Sequence, residues 1–221
     1  MIRSAAGVPS YCRSTAYDQF FNAVIDLHST EALLRAACAV SLHAFDDRRF
    51  SDVDAELDRL AANVRRHAQS NATVNLMASL QHVLFDAEGF IGSPSTAPIF
   101  SYLPQVLALK LGSSEALCLI YSAVAERLGL DAETIAMRRG YCVRVRQGEA
   151  YHYVDPFRAR GMSSEEVAAE TSGSRLPGVV SREAWLRDLL RSLQASLANA
   201  DHRDDLEAML ELQELLALIA C

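Results

Sequence analysis

The chain has 221 residues, of which 50% are hydrophobic and 22% charged, and its formal net charge is −7. A chain of this length buries roughly 70% of its unfolded surface, so one domain, or one domain with a helical appendage, needs no covalent or metal support. The acidic balance argues against binding to nucleic-acid phosphates, which requires a basic face. The longest apolar runs fall short of the ~18 residues of a membrane span, and MIRSAAGVPSYCRSTAYDQFF does not resemble a secretory signal. We therefore expect a cytoplasmic protein without a membrane partner.

The cysteines and histidines predict neither a disulfide framework nor a metal site. The cysteines are odd in number, widely spaced and include no CxxC pair. The histidines are scattered over predicted helices, apart from His152, which falls on a predicted strand. We expect no metal and no cofactor. The five cysteines are Cys12, Cys38, Cys118, Cys142 and Cys221.

The first half of the chain has helical periodicity. Apolar residues recur at helical spacing over residues 52–69, where Ser51 and Asp54 resemble a capping box. The inward positions of this helix are Val53, Leu57, Leu60 and Val64. Further helices are predicted over 30–45 with Thr30 as the N-cap, over 73–86, and over about 101–110.

The pattern changes from helical to alternating after residue 129. The stretch SSEALCLIYSAVAERL predicts a helix that Gly129 terminates, and Ser163 with Glu166 begins a later short helix. Strands are predicted over 132–138, 140–147 and 149–155. Two long helices, 181–199 and 201–220, are expected to pack as an antiparallel hairpin. The acidic residues of the last helix are expected to form a solvated face.

This order of elements predicts an α+β fold that is mostly helical rather than an alternating α/β sheet. It comprises an N-terminal helical bundle, a core in which a helix packs on a small antiparallel sheet, and a C-terminal helical hairpin. The predicted segments are an N-terminal extension (1–19), a helical region (20–100), the core (101–175) and the hairpin (176–221).

Four stretches of the chain together resemble one known family. They are LQHVLFDAEGFIG, SYLPQVLALKLGSSEALCLIYSAVAERLGL, RRGYCVRV and YHYVDPF. A helix start followed by two strands is how papain-like and transglutaminase-like enzymes deliver a nucleophile, a base and an orienting carboxylate. Over about residues 25–220 the chain resembles the bacterial SirB-type branch of the transglutaminase-like superfamily. The resemblance implies that the 101–175 core has the transglutaminase/papain-like fold.

The same resemblance implies a degenerate catalytic triad. The nucleophile position falls on Ser114, the histidine position falls on Tyr141, and only Asp155 keeps the residue type of the family. Tyrosine, with an ordinary pKa near 10, is a poor general base at neutral pH. The chain has thus lost the Cys–His pair, which predicts a non-catalytic or repurposed protein that binds a ligand or a partner.

The alternative is an active hydrolase or acyltransferase with Ser114 or a displaced thiol as the nucleophile. Cys118 lies one helical turn beyond Ser114, where core packing is the favoured interpretation. Cys142 lies opposite Asp155 only if the hairpin turn has two residues, Gly148 and Glu149. We expect a three-residue turn with Tyr141 opposite Asp155, because that register separates the tyrosines from the arginines. His152 then faces away from Asp155 and is interpreted as a surface or structural residue.

The remaining candidate residues are ligand-binding ones. Ser114, Tyr141, Tyr153 and Asp155 are expected to form either a cleft for a small polar or anionic group or a satisfied hydrogen-bond cluster left from an old site. A local basic patch consists of Arg138, Arg139, Arg144 and Arg146. Solubility of a strand edge is its favoured interpretation, and binding of a carboxylate ligand or an acidic partner is the alternative. A scaffold acting through the C-terminal helical pair is a third hypothesis, and the oligomeric state stays open.

Overall fold

The computed structural model describes residues 7–45, 49–171 and 178–219. The described residues divide into two compact units, the first formed by those within 1–52, 95–105 and 181–221 and the second by those within 53–94 and 106–180. The segments expected from the sequence were consecutive, whereas each unit is assembled from separated pieces of the chain. No helix among the described residues is long and apolar enough to span a membrane.

The first unit is helical. Its helices are α1 (Ser14–Val24), α2 (Thr30–Ala44), α8 (Arg182–Asn199) and α9 (Arg203–Ile219), with a short 3₁₀ turn at Pro98–Phe100. The predicted pairing of the last two helices is confirmed, since α8 packs against α9 and the Gln194 side-chain amide donates to the Met209 carbonyl at 3.3 Å. Helix α1 was not predicted and begins within the expected N-terminal extension.

Two predicted helix caps are wrong. Helix α2 is capped by Ser29, whose Oγ accepts the Ala32 N–H at 3.1 Å, so Thr30 is already the first helical residue. Helix α3 (Phe50–His67) begins before Ser51, which excludes a capping box at that position. The apolar face predicted for α3 is confirmed, because its four inward residues are all buried.

The helices of the second unit follow the predicted pattern more closely. Besides most of α3 and the end of α5 (Leu103–Leu109), the unit contains α4 (Thr73–Gln81) with a π-helical turn at His82–Ala87, α6 (Ser114–Arg127) and α7 (Ser164–Glu170). Gly129, with a φ of +79°, ends α6 as expected. The capping box of Ser163 and Glu166 on α7 is also confirmed.

Two small sheets lie in the second unit. The first is a parallel pair, β1 (Ile91–Gly92) with β2 (Leu111–Gly112). The second is antiparallel in the order β3-β4-β5-β6, formed by Ala132–Ala136, Tyr141–Gln147, Ala150–Asp155 and Arg160–Met162. Helix α6 packs on β3 and β4, and α7 packs on β5. The structure thus confirms an α+β, mostly helical fold with a helix on a small antiparallel sheet.

The predicted register of the β4–β5 hairpin is wrong. Gln147 pairs with Ala150, so the turn consists of two residues, Gly148 and Glu149. Gly148 has a φ of +59°, which suits the glycine position of a type II′ hairpin turn. Continuing this register by one residue places Cys142, rather than Tyr141, opposite Asp155.

The arginines of β4 explain the error. The guanidinium carbons of Arg144 and Arg146 lie 4.4 and 5.3 Å from the centre of the Tyr151 ring. Such cation–π contacts are favourable at partly exposed sites, so arginine and tyrosine belong on one face of the hairpin. The sequence argument treated the two residue types as incompatible and so selected the other register.

The expectation of a solvated acidic face on α9 fails for two residues. The Glu211 carboxylate accepts backbone hydrogen bonds from residues 10–12. The Asp205 carboxylate contacts His43 and His202. Both acids therefore have structural partners within the first unit.

Candidate functional site

Ser114, the first residue of α6, is joined to the start of β4. Its Oγ accepts the Tyr141 backbone N–H at 2.8 Å and lies 3.4 Å from the Tyr141 carbonyl oxygen, to which the hydroxyl donates. The preceding residue, Ser113, caps the helix by accepting the Ala116 N–H at 3.3 Å. The structure therefore brings Ser114 and Tyr141 together, and the serine hydroxyl is used as a link between helix and strand.

Gly140 makes this junction tight. It has a φ of +79°, and a Cβ atom placed on it would lie 2.5 Å from Ser114 Oγ and 2.8 Å from Ser114 Cβ. Real Cβ atoms do not approach other atoms so closely, so only glycine fits here. Sequence reasoning gave no role to Gly140, although a glycine directly before a predicted strand was an available signal for a close backbone approach.

Asp155 ends β5 and is 1% exposed. Its Oδ1 accepts the Arg158 backbone N–H at 3.0 Å, and its Oδ2 accepts from the Arg158 guanidinium at 3.1 Å. The carboxylate thus closes the turn that follows the strand, as aspartates commonly do at the first position of a turn. Arg158 was missed in the sequence, where its position three residues after the aspartate of an Asp-Pro pair was the signal.

Two thiols lie beside these residues. Cys118 and Cys142 are each 0% exposed. Burial raises the pKa of Cys118 well above its ordinary value, the charges of Cys142 and Asp155 raise it further, and a hydrogen bond with Ser114 opposes the shift. Burial, followed by the Asp155 charge, raises the pKa of Cys142 to about 12. Neither thiol is therefore ionised near neutral pH, and the thiolate is the nucleophilic form.

Tyr153 lies in the apolar interior on one side of the four-stranded sheet. It is 8% exposed and packs in a cluster with Ile135, Cys142 and Val167. It sits on β5 two residues before Asp155, on the same face of the strand. The structure therefore assigns its ring a packing contact with α7 and the sheet.

The arginines near the site differ in their contacts. Arg138 donates its backbone N–H to the Glu170 carbonyl at 2.9 Å, and its guanidinium bonds to the Ala169 carbonyl, so it secures the end of α7. Arg139 is exposed. Farther along β4, Arg144 pairs with Glu133 at 2.7 Å and Arg146 with Asp131 at 2.9 Å. The basic patch is thus partly neutralised by its own sheet.

His152 is placed away from Asp155. It is exposed, lies opposite Val145 in the hairpin, and contacts the Gln147 side chain through a ring nitrogen. Asp155 lies three positions after His152, an odd number, so the two side chains leave opposite faces of β5. In the described part of the chain, no three His, Cys, Asp or Glu side chains are arranged to hold a metal ion.

Gly92 on β1 contacts Phe157, in the turn that follows Asp155, although the two residues lie far apart in the sequence. The Gly92 N–H on β1 donates to the Phe157 carbonyl at 2.8 Å, and a Cβ on Gly92 would lie 2.4 Å from the Phe157 ring. Gly92 also pairs with Gly112 on β2, the strand that leads into α6. The turn after Asp155 is therefore tied to the strand that delivers Ser114.

An ion-pair network supports the same strand. Lys110, directly before β2, has its Nζ 3.1 Å from Glu56 and 3.5 Å from Glu88. Arg59 contacts the same two carboxylates at 2.7 and 2.8 Å. The hydrogen bond from Arg59 is the largest cause that lowers the pKa of both acids. The four side chains connect α3, the π-helical turn and β2.

In the second unit, Ser114 lies at a helix start, Tyr141 at a strand start and Asp155 at a strand end. This order of elements is the one expected for a transglutaminase-like core. A sequence model described as the transglutaminase-like superfamily matches residues 51–211, which is more than half of the chain. The protein belongs to the transglutaminase-like superfamily. No curated protein and no solved structure matches the chain significantly.

Proposed function

We propose that this protein is a SirB-type, non-catalytic member of the superfamily that acts by binding a partner. In this proposal Ser114, Tyr141 and Asp155 are the remains of a nucleophile, base and carboxylate site. They serve the fold of the second unit rather than acyl transfer.

One observation carries the proposal. The Ser114 hydroxyl, at the nucleophile position, accepts the Tyr141 N–H at 2.8 Å and is packed against Gly140. A serine nucleophile needs a base within hydrogen-bond reach to remove its proton. Among the described residues, the hydrogen-bond partners of this hydroxyl include the Tyr141 backbone and the un-ionised thiol of Cys118, and neither of these serves as that base.

The thiols give little support to the alternative of a displaced nucleophile. A catalytic cysteine is activated by a neighbouring cation, a helix N-terminus or a histidine, each of which lowers its pKa. Cys118 and Cys142 instead have a carboxylate, Asp155, among their electrostatic neighbours, and it raises the pKa of both. The environment of these thiols favours a packing role.

A protein partner is favoured over a small anionic ligand. The contact of Ser114 with Gly140 leaves little space at the start of α6. The Asp155 carboxylate is occupied by Arg158, and Arg138 is engaged with the end of α7. An exposed cation that remains for an acidic partner is Arg139.

Thiol labelling with mass mapping tests the absence of catalysis. The native protein is treated with iodoacetamide near neutral pH, and the urea-unfolded protein is the control that gives the rate of each accessible thiol. We expect Cys118 and Cys142 to react much more slowly in the native state, because both side chains are fully buried and burial raises the pKa of each thiol. Rapid labelling of either thiol in the native protein would overturn the proposal.

An amine-incorporation assay tests the serine. A fluorescent primary amine and a glutamine-rich protein substrate report acyl transfer, and release of ammonia reports hydrolysis. We expect the wild type and Ser114→Ala to give the same background signal. Activity in the wild type that is absent from Ser114→Ala would establish the alternative function.

A further inference from the structure

Successive backbone N–H groups before α1 are held by side chains of other helices. Glu211 of α9 accepts the Ser10 N–H on Oε1 at 2.7 Å and the Cys12 N–H on Oε2 at 2.8 Å, with the Tyr11 N–H shared between the two oxygens at 3.1 and 3.2 Å. About 200 residues of sequence separate the donors from this acceptor. We call the segment Ser10–Arg13 the N-terminal strap.

The next N–H of the strap is held by a histidine. The Arg13 N–H donates to Nδ1 of His43 at 3.4 Å, and Nε2 of the same ring lies 2.9 Å from Asp205 Oδ1. His43 is 7% exposed. His202 contacts the other oxygen of Asp205 at 3.1 Å. The strap is therefore fastened at one end by a carboxylate and at the other by an imidazole.

Both contacts of His43 are hydrogen bonds when the ring is neutral and carries its proton on Nε2. A neutral imidazole has one N–H donor and one acceptor nitrogen, whereas the protonated ring has two donors. Asp205 accepts from Nε2–H, so Nδ1 is the acceptor that the Arg13 N–H requires. Protonation of Nδ1 turns this hydrogen bond into a contact between two N–H donors, while the bond to Asp205 is kept.

We propose that the N-terminal strap is a proton-sensitive clasp, closed while His43 is neutral and loosened when His43 gains a proton. Opening uncovers Cys12, which is 4% exposed in the closed state.

The charges around His43 are consistent with this switch. Asp205 on α9, with His202 just before that helix, lies on one side of the ring, and Arg13 lies on the other. Other titratable groups near the strap are Tyr17 on α1, which interacts electrostatically with Glu211, Glu214 and Asp18, and Tyr102 before α5, which interacts with Asp205. Among the charged residues of α8, Arg187 pairs with Glu183 and Arg191 pairs with Asp188.

Amide hydrogen exchange of the full chain tests the clasp. Protection factors, corrected for the intrinsic rate at each pH, are compared at about pH 7.5 and about pH 5.5, on either side of the ordinary histidine pKa of about 6.5. We expect the protection of residues 10–13 to fall roughly 2- to 12-fold on acidification, the range that corresponds to losing one hydrogen bond. Alkylation of Cys12, corrected for the pH dependence of a free thiol, should rise by a similar factor.

A matched control exists within the same chain. The Ser163 N–H is held by the Glu166 carboxylate at 2.8 Å without a histidine, so its protection should stay constant over this pH range. In His43→Asn, a side-chain oxygen that does not titrate replaces Nδ1, and the pH dependence at residues 10–13 should disappear. Glu211→Gln should lower the protection of residues 10–12 at both pH values, because one acceptor oxygen becomes a donor.

The titration of His43 in the wild type provides a test that needs no variant. The pH midpoint of strap protection should coincide with that of the His43 ring signals in the NMR spectrum. Protection that is constant between the two pH values, or a midpoint that differs from that of His43, would overturn the proposal. A pH dependence that persists unchanged in His43→Asn would do the same.

Discussion

The packing of Ser114 against Gly140 gives the most direct test of how closed the candidate site is. The perturbation is Gly140→Ala, which adds a single methyl group. Its carbon would lie 2.5 Å from Ser114 Oγ and 2.8 Å from Ser114 Cβ, at a backbone φ of +79°. Both the backbone conformation and the contact oppose the substitution.

The chain contains a control with the same backbone conformation. Gly129 also has a φ of +79°, but a Cβ placed there meets nothing within 4 Å. Gly129→Ala should therefore cost only the conformational penalty of about 1–2 kcal/mol. The change that alanine makes to the unfolded chain is common to both variants and cancels in the comparison.

The difference between the two variants isolates the contact with Ser114. Overpacking by one methyl group costs about 1–3 kcal/mol, so Gly140→Ala should lower the free energy of unfolding by about 2–5 kcal/mol in total. The assay is urea unfolding followed by circular dichroism, with the slope of the transition compared between variants.

Equal losses in Gly140→Ala and Gly129→Ala would refute the reasoning, because the junction would then have room for a methyl group. A second comparison removes the contact from the other side. In a Ser114→Gly background, which lacks the Ser114 Cβ and Oγ, Gly140→Ala should cost about as much as Gly129→Ala. Equal losses in Gly140→Ala and Gly129→Ala would also weaken the argument for a non-catalytic site, because the junction at Ser114 would then be open.

Two further predictions concern the second unit. Ser114→Ala leaves the Tyr141 N–H without its acceptor at 2.8 Å and should lower the free energy of unfolding by about 1–3 kcal/mol in the same urea assay; no change would mean that the bond contributes nothing. The pKa of Glu56 is held below its ordinary value, so its contribution to stability is present above the unfolded pKa of about 4.3 and is lost as the pH falls through the folded value. Urea unfolding at about pH 5 and about pH 3 should therefore show a smaller acid-induced loss in Lys110→Met than in the wild type, and equal losses would exclude a role for Lys110 in this network.

The residues that we propose as remains of a triad have structural contacts. Ser114 links α6 to β4, and Asp155 closes the turn that Phe157 ties back to Gly92. Both residues are therefore expected to contribute to the stability of the second unit.

The helical elements were predictable because their signals are local. The apolar spacing of α3, the terminating Gly129 after α6 and the capping box at Ser163 each depend on residues within a few positions of one another. Helix α1 was missed as a whole. The error at Thr30 concerns a helix start, where neighbouring polar residues compete for the cap position. The family resemblance likewise depended on short stretches in a fixed order.

The hairpin register could not be decided from alternation alone. Both turn lengths give a plausible distribution of side chains over the two faces of the hairpin. The choice depends on whether Arg144 and Arg146 are attracted to Tyr151. That attraction arises only when the two strands are paired, so it leaves no mark in the sequence of either strand.

The sequence by itself determined an acidic, mostly helical α+β chain, because charge, composition and local periodicity are properties of the residues themselves. The family resemblance added the expectation that serine, tyrosine and aspartate stand at the triad positions. Only the tertiary structure decided that Cys142 faces Asp155, that Gly140 closes on Ser114 and that Glu211 holds the N-terminal strap. The physical reason is that burial, pKa and hydrogen-bond partners depend on neighbours brought together by folding. Glu211 was expected to belong to an acidic surface. In the structure its carboxylate accepts hydrogen bonds from a segment about 200 residues away in the sequence.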